Sequence, residues 1–340
     1  MTSLSWFFYP IAFLMAYFLT WTVRKYAIER NVIDVPNARS SHTRPTPRGG
    51  GVAFVATFLL LGFVSATLLP ISTDAATAIL GAGLLIALVG FLDDHGHIPA
   101  RWRLVAHFSA AIWVLYWLGG PPPITLFGLD IPAAWPLSVI LALFLVWLLN
   151  LYNFMDGIDG IASAQAICVS VGGALLYLAQ GLPDIAFYPF LLACSVAGFL
   201  VWNFPPARIF MGDAGSGFLG LTLGGLTIQA AWIDDRLFWS WVILSGVFIT
   251  DSTWTLVRRL FRKEKVYEAH RSHAYQYASR KIGTHRPVTL AVIAINVVWL
   301  FPMAYLAATS NYDPTLITLA AYAPLCLLTY LFRAGEREQG

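Results

Sequence analysis

The chain has 340 residues, 58% of them hydrophobic and only 11% charged, whereas a soluble globular protein carries roughly 25% charged residues, so it cannot clothe a water-facing surface. The same hydrophobicity excludes intrinsic disorder, and a formal net charge of +3 gives no reason to expect nucleic acid as a partner. Cys168, Cys194 and Cys326 stand singly in apolar runs and match neither a disulfide framework nor a zinc site.

What remains is an all-α, polytopic membrane bundle. A bilayer core of about 30 Å asks for about 20 apolar residues per helix. On that basis helices are predicted near 4–22, 49–70, 75–92, 104–119, 137–152, 161–180, 185–203, 217–233, 237–257, 288–309 and 314–332, eleven in all. The first lacks a basic n-region and an Ala-x-Ala site and is expected to be retained. Segments 104–119 and 137–152 are short, and Pro121-Pro122-Pro123 with Gly128 and Pro132 leaves room for a re-entrant piece between them. No internal repeat is evident, so residues 1–340 are read as one integral membrane domain.

Lys and Arg set the orientation. With eleven spans, the loops 23–48, 93–103, 153–160, 204–216 and 258–287 and the tail after 332 fall on one side and hold 20 of the 21 basic residues; Arg236 is the exception. The expected topology is N-terminus outside and C-terminus cytoplasmic. Arg258, Arg259, Arg262, Lys263 and Lys265 read as stop-transfer and anionic-lipid charges.

The outward loops carry scattered aspartates that read as solvated turns. The cytoplasmic side is different. Asp93-Asp94 ends the third span, where carboxylates oppose the helix dipole unless a cation is near. Asn150, Asn153, Asp156 and Asp159 recur every third residue and form one stripe if the fifth helix continues through them. Asp213 lies in a glycine-rich Phe210-Met-Gly-Asp-Ala-Gly-Ser216 segment, and Asp251 sits inside the ninth span. Acids at membrane depth are costly and mark functional sites by default. His270 and His273 fit a phosphate site and an ordinary interfacial loop equally well, as do Arg44 and Arg48 before Gly49-Gly50-Gly51. Hard carboxylates without a Cys/His tetrad suit Mg²⁺, or Mn²⁺ in its place, held with substrate phosphates. Together these residues read as metal-dependent phosphoryl chemistry between a soluble nucleotide and a membrane lipid.

At these positions the sequence resembles the polyprenyl-phosphate N-acetylaminosugar-1-phosphate transferase family (glycosyltransferase family 4), which includes O-antigen-initiating enzymes and the phospho-MurNAc-pentapeptide translocase. The likeness runs from about Arg39 to Arg286. It rests on Arg-Pro-Thr-Pro-Arg-Gly-Gly at 44–50, Asp93-Asp94, Asn150 to Gly160, Asn203 through Ser216, and Asp251 followed by Arg258-Arg259. The resemblance implies Asp213 as principal Mg²⁺ ligand with Asp94, catalytic roles for Asp93, Asp94 and Asp156, and donor contacts from Asn153, Asp159, Asn203, Phe210, Arg44, His270 and His273, with Asn150 and Asp251 in support. It further implies a UDP-N-acetylhexosamine donor, undecaprenyl phosphate as acceptor in the bilayer, and release of UMP, starting O-antigen or another cell-surface polysaccharide; a homo-oligomer is compatible with it. The rival readings are a membrane transporter, which would place acids near mid-bilayer, and another lipid phosphotransferase.

Overall fold

The structure is a computed structural model describing residues 4–36, 41–42, 44–96, 98–264 and 270–336. Lys265, and Arg39 where the family likeness begins, lie outside the described residues. Helices cover all eleven predicted segments. They are α1 (Ser5–Glu29), α2 (Gly51–Leu68), α3 (Thr73–Gly96), α4 (Ala100–Trp117), α5 (Trp135–Met155), α6 (Ile161–Ala179), α7 (Phe187–Asn203) and α8 (Asp213–Ala231), then α9 (Asp235–Leu244) and α10 (Gly246–Phe261) over the ninth segment. A short α11 (Ala274–Ile282) precedes α12 (Arg286–Thr309) and α13 (Pro314–Leu331).

Among the described residues, seven helices are long and apolar enough to cross a bilayer: α1, α2, α3, α5, α6, α12 and α13. The pair α9–α10, bent by 70°, makes an eighth if it counts as one span. Helix α7 has 17 residues, α4 is diluted by Arg101, Arg103 and His107, and α8 by glycines and threonines. The expected eleven crossings thus have seven or eight helices behind them by length and composition. Between α4 and α5, where a re-entrant piece had room, the chain forms a hairpin, β3 (Ile124–Leu126) with β4 (Leu129–Ile131), after β1 (Ile33–Asp34) and β2 (Thr46–Pro47) have paired earlier in the chain. The indole N–H of Trp239 in α9 holds the hairpin by donating to Thr125 O at 2.9 Å.

Helix α8 is the axis of the bundle. From Ala214 to Ala231 nearly every residue is buried, against α2, α3, α5 and α9. Lipid tails are as apolar as leucine, so membrane helices gain most from close van der Waals approach between small residues, and α8 is rich in Gly, Ala and Thr. Its first turn touches α3 directly: a Cβ added at Gly90 would lie 2.6 Å from the Ala214 backbone. Around its middle, Phe54, Phe58, Phe199 and Phe218 interlock with ring centroids 5.5 to 6.2 Å apart.

Two loops are stitched together above this axis. Phe210 N donates to Pro47 O at 2.8 Å, Gly50 N to Phe210 O at 2.9 Å and Gly51 N to Met211 O at 2.8 Å, so the Arg44–Gly50 and Phe210–Ser216 motifs share one edge. At the α9–α10 break, buried Gln165 donates from Nε2 to Leu244 O at 3.0 Å and accepts from Asn296 Nδ2 at 2.7 Å. An unpaired buried carbonyl costs about 1–3 kcal/mol. Gln165→Leu is therefore expected to lower stability by about that amount, read as a reduced melting temperature in detergent; an unchanged melting temperature would show that the break needs no such partner.

Candidate active site

The fifth helix does not carry the predicted four-residue stripe. It ends at Met155, with Asp156 at its C-cap, and Gly160 adopts φ +72° before α6 begins. Asn150 and Asn153 stay on α5 while Asp156 and Asp159 sit on the following loop, which carries them around a cavity.

That cavity, about 320 Å³, is lined by Arg48, Asp94, Asn153, Asp156, Asp159, Asn203, Phe210 and Asp213 among the expected residues, together with Ser216, Gln276 and His285. Asp94 reaches from the last turn of α3 to the start of α8, where its Oδ1 accepts from Asp213 N at 3.3 Å and its Oδ2 from Ala214 N at 3.4 Å. A carboxylate there satisfies N–H groups that a helix N-terminus leaves unpaired. The approach requires glycine at 212, with φ +81° and any added Cβ 2.8 Å from Asp94 Oδ2. Arg48 donates from Nη2 to Asp94 O at 2.6 Å. Ser216 Oγ donates to Asn153 Oδ1, fixing the amide that faces Asp213's helix.

A second cavity of about 440 Å³ lies between α3, α4, α5 and α8. Asp93, Asn150, Arg103 and His107 line it with apolar Ile86, Val89, Leu104, Leu149 and Phe154, and Asn153 and Asp213 line both cavities. Asp93 accepts from Ile98 N at 2.7 Å and from Arg103 Nη1 at 2.6 Å, and the same Nη1 is 4.0 Å from Asp213 Oδ2. The adjacent acids of α3 therefore part company, Asp94 to the first cavity and Asp93 to the second.

Other expected residues lie elsewhere. Arg44 lies outside both linings, while Arg48, four residues on and likewise exposed, borders the first cavity. Asp251 on α10 is buried and caps α11: its Oδ1 accepts from Ala274 N at 3.0 Å and its Oδ2 from Tyr275 N at 3.1 Å, with His273 Nδ1 3.2 Å from Oδ1. The His270 and His273 rings lie 4.9 Å apart, tilted by 30°, and line neither cavity. Burial, then His273 and Arg259, hold the His270 imidazole down to about 3, so it is neutral at pH 7. Gln276, one turn into α11, is the residue of that helix on the cavity wall. Asn203 braces the loop beside it, donating to Ile209 O at 3.0 Å and accepting from Ser163 Oγ at 3.2 Å.

Sequence reasoning missed Arg103 and His285. Arg103 had a signal, a cation in an apolar helix ten residues after an acid pair. His285 had none, being a lone loop histidine. It fixes Asp159, with Nδ1 3.1 Å from Oδ1 and Nε2 3.0 Å from Ser41 O; Asp159 Oδ2 accepts from Ala207 N at 2.9 Å and its carbonyl from Thr289 Oγ1 at 2.8 Å. Burial pulls the His285 pKa down, but the hydrogen bond and charge of Asp159 and the Ser41 carbonyl outweigh it and leave it raised. A raised histidine contributes stability fully present below its unfolded pKa of about 6.5 and lost as pH climbs through the higher folded value. The melting-temperature gap between wild type and His285→Gln is thus expected to be widest below about pH 6.5 and to shrink above it; a gap that grows with pH would reverse the assignment.

Burial, then the charges of Asp213, Asp159 and Asp94, push the Asp156 carboxyl well above the usual carboxylate range. Such crowding of like charge favours a cation. No three His, Cys, Asp or Glu side chains among the described residues stand close enough to chelate a metal by themselves. That donor set fits Mg²⁺, which commonly takes one or two carboxylates and completes its octahedron with phosphate oxygens and water; it does not fit a tetrahedral zinc cage.

Fold and site define a multi-pass membrane protein with a carboxylate-lined cavity. The glycosyl transferase family 4 model matches residues 76–231. The chain is 29% identical to a probable undecaprenyl-phosphate N-acetylglucosaminyl 1-phosphate transferase of Bacillus subtilis, covering 85% of this chain and 81% of the relative. It is 30% identical to the decaprenyl-phosphate N-acetylglucosaminephosphotransferase of Mycobacterium leprae over 88% and 82%, and 32% identical to the phospho-N-acetylmuramoyl-pentapeptide-transferase of Moorella thermoacetica over 65% and 74%. The chain belongs to glycosyl transferase family 4, the polyprenyl-phosphate sugar-1-phosphate transferases.

Proposed function

We propose that this protein transfers N-acetylhexosamine 1-phosphate from a UDP-sugar to undecaprenyl phosphate at the cytoplasmic face of a bacterial inner membrane. UMP is released, and the lipid-linked sugar starts a cell-surface polysaccharide of the O-antigen type. The observation that carries this reading is the shared wall: Asp213 and Asn153 border both a polar cavity and a second, more apolar one. The polar cavity has the room and the donors for a nucleotide, with Phe210 offering a ring face for a base. The second is bordered by the exposed side chains of Leu104 and Phe154, so a prenyl tail leaving it enters lipid while its phosphate stays near Arg103.

An acceptor phosphate oxygen attacks the β-phosphorus of the donor. The new P–O bond forms as the bond to the bridging oxygen breaks, and UMP departs with that electron pair. Asp213 and Asp94 would hold Mg²⁺, whose contribution when bound is to neutralise charge on the diphosphate. Arg103 spans the junction, with Nη1 between Asp93 and Asp213, and its remaining N–H groups can orient the acceptor. Positioning and charge stabilisation are most of what phosphoryl transfer asks of a protein, and an acceptor already anionic needs no covalent aspartyl intermediate. The split of Lys and Arg, 20 of 21 on one set of loops, supports eleven crossings with the site facing the cytoplasm.

Incubating the purified protein with Mg²⁺, undecaprenyl phosphate and a panel of radiolabelled UDP-sugars is expected to yield lipid-linked product and UMP; a transporter would give neither. Asp213→Asn should abolish UMP release, and near-normal turnover in that variant would remove the metal assignment. Arg103→Ala should cut kcat/KM for the acceptor about 100-fold, the magnitude typical of a lost charge-stabilising donor, and an unaltered value would separate Arg103 from the reaction.

A further inference from the structure

His107 occupies a position that neither packing nor the chemistry above explains. It sits on α4 exactly one helical step of four residues beyond Arg103, so both side chains leave the same face and both line the second cavity. The residue is 9% exposed, and its Nδ1 is buried without a hydrogen-bond partner among the described residues. A buried polar atom without a partner is costly, and the cavity that His107 lines is walled in part by apolar Ile86, Leu104 and Leu149. A bundle that needed only volume there would be served by leucine. The remaining polar groups of the wall are largely committed: Asp93 to Arg103 and Ile98 N, and the Asn150 amide to Val146 O at 2.7 Å.

We propose that His107 is a recognition residue for the phosphate headgroup of the acceptor, acting with Arg103 as a two-point clamp. The inference rests on the transferase reading and adds a contact to it. A phosphate monoester presents three non-bridging oxygens. Arg supplies only donors, in a fixed fork, whereas a neutral imidazole supplies one donor and one acceptor. The pair can therefore hold an anionic oxygen at Arg103 and either an anionic or a protonated oxygen at His107. With the headgroup fixed on α4, its third oxygen is left for the shared wall at Asp213.

The test separates recognition from packing with two substitutions. His107→Leu removes both nitrogens and keeps an apolar volume, while His107→Asn keeps an amide near the place of Nδ1. With a UDP-sugar that wild type turns over, His107→Leu is expected to raise the acceptor KM roughly tenfold, as for a lost hydrogen bond to a charged group. Donor KM and the rate at saturating acceptor should stay within about twofold, and His107→Asn should recover most of the loss. An unchanged acceptor KM in His107→Leu overturns the proposal, as does a loss spread evenly over both substrates and the rate with no recovery by Asn. Binding of a short-chain prenyl phosphate, measured without donor by its protection against thermal unfolding, keeps the two readings apart. Weaker protection of His107→Leu than of wild type supports the headgroup contact even if no sugar is transferred, and equal protection refutes it whatever the turnover.

Discussion

The structure depends on one contact, the carboxylate of Asp94 laid across the first N–H groups of α8. A helix that starts inside a protein must find partners for its unpaired amides, and a negative charge at that end also meets the positive pole of the helix dipole, an effect worth up to about 2 kcal/mol when partly buried. Asp94 does this from another helix, so the cap is also the joint between α3 and α8. Gly90 and Gly212 allow the two backbones to meet there. Because α8 is the axis on which α2, α3, α5 and α9 pack, the joint sets where Asp213 stands relative to every other wall of the cavity.

A second chain of supports serves the opposite wall. Gln165 and Asn296 meet the break after α9; α10 leaves the break carrying Asp251; Asp251 caps α11; and α11 presents Gln276 to the cavity. The histidines of the preceding loop belong to this scaffold, with His273 against Asp251 and the His270 ring tilted against that of His273.

Much of this was legible in the residues, and the reasons differ by feature. Apolar segments reveal themselves because lipid tolerates little else; helices cover all eleven, but among the described residues only seven or eight are long and apolar enough to cross a bilayer. The convergence of Asp94, Asp156 and Asp213 was legible because acids at membrane depth stand out against such a background. What escaped notice depends on contacts between distant parts of the chain. His285 meets Asp159 across 126 residues of sequence, and nothing local marks it. The end of α5 turned on Gly157 and Gly160, whose weight against a regular three-residue spacing is decided by what they pack on: a side chain at 157 would strike the Tyr275 hydroxyl. Arg44 and Arg48 look alike in a motif and both are exposed, and only the pairing of residues 47–51 with 210–211 sets Arg48 on the cavity rim and leaves Arg44 off it.

The wall formed by Asn153 and Asp213 also bears on traffic. In the proposed reaction two chambers with a common partition would be filled at once, one from the aqueous side and the other from between the lipids, so neither ligand would block the other's door. Such an arrangement would suit a ternary complex and a sequential kinetic scheme, in which the spent nucleotide drains back to water while the sugar-loaded lipid slips sideways into the leaflet it came from.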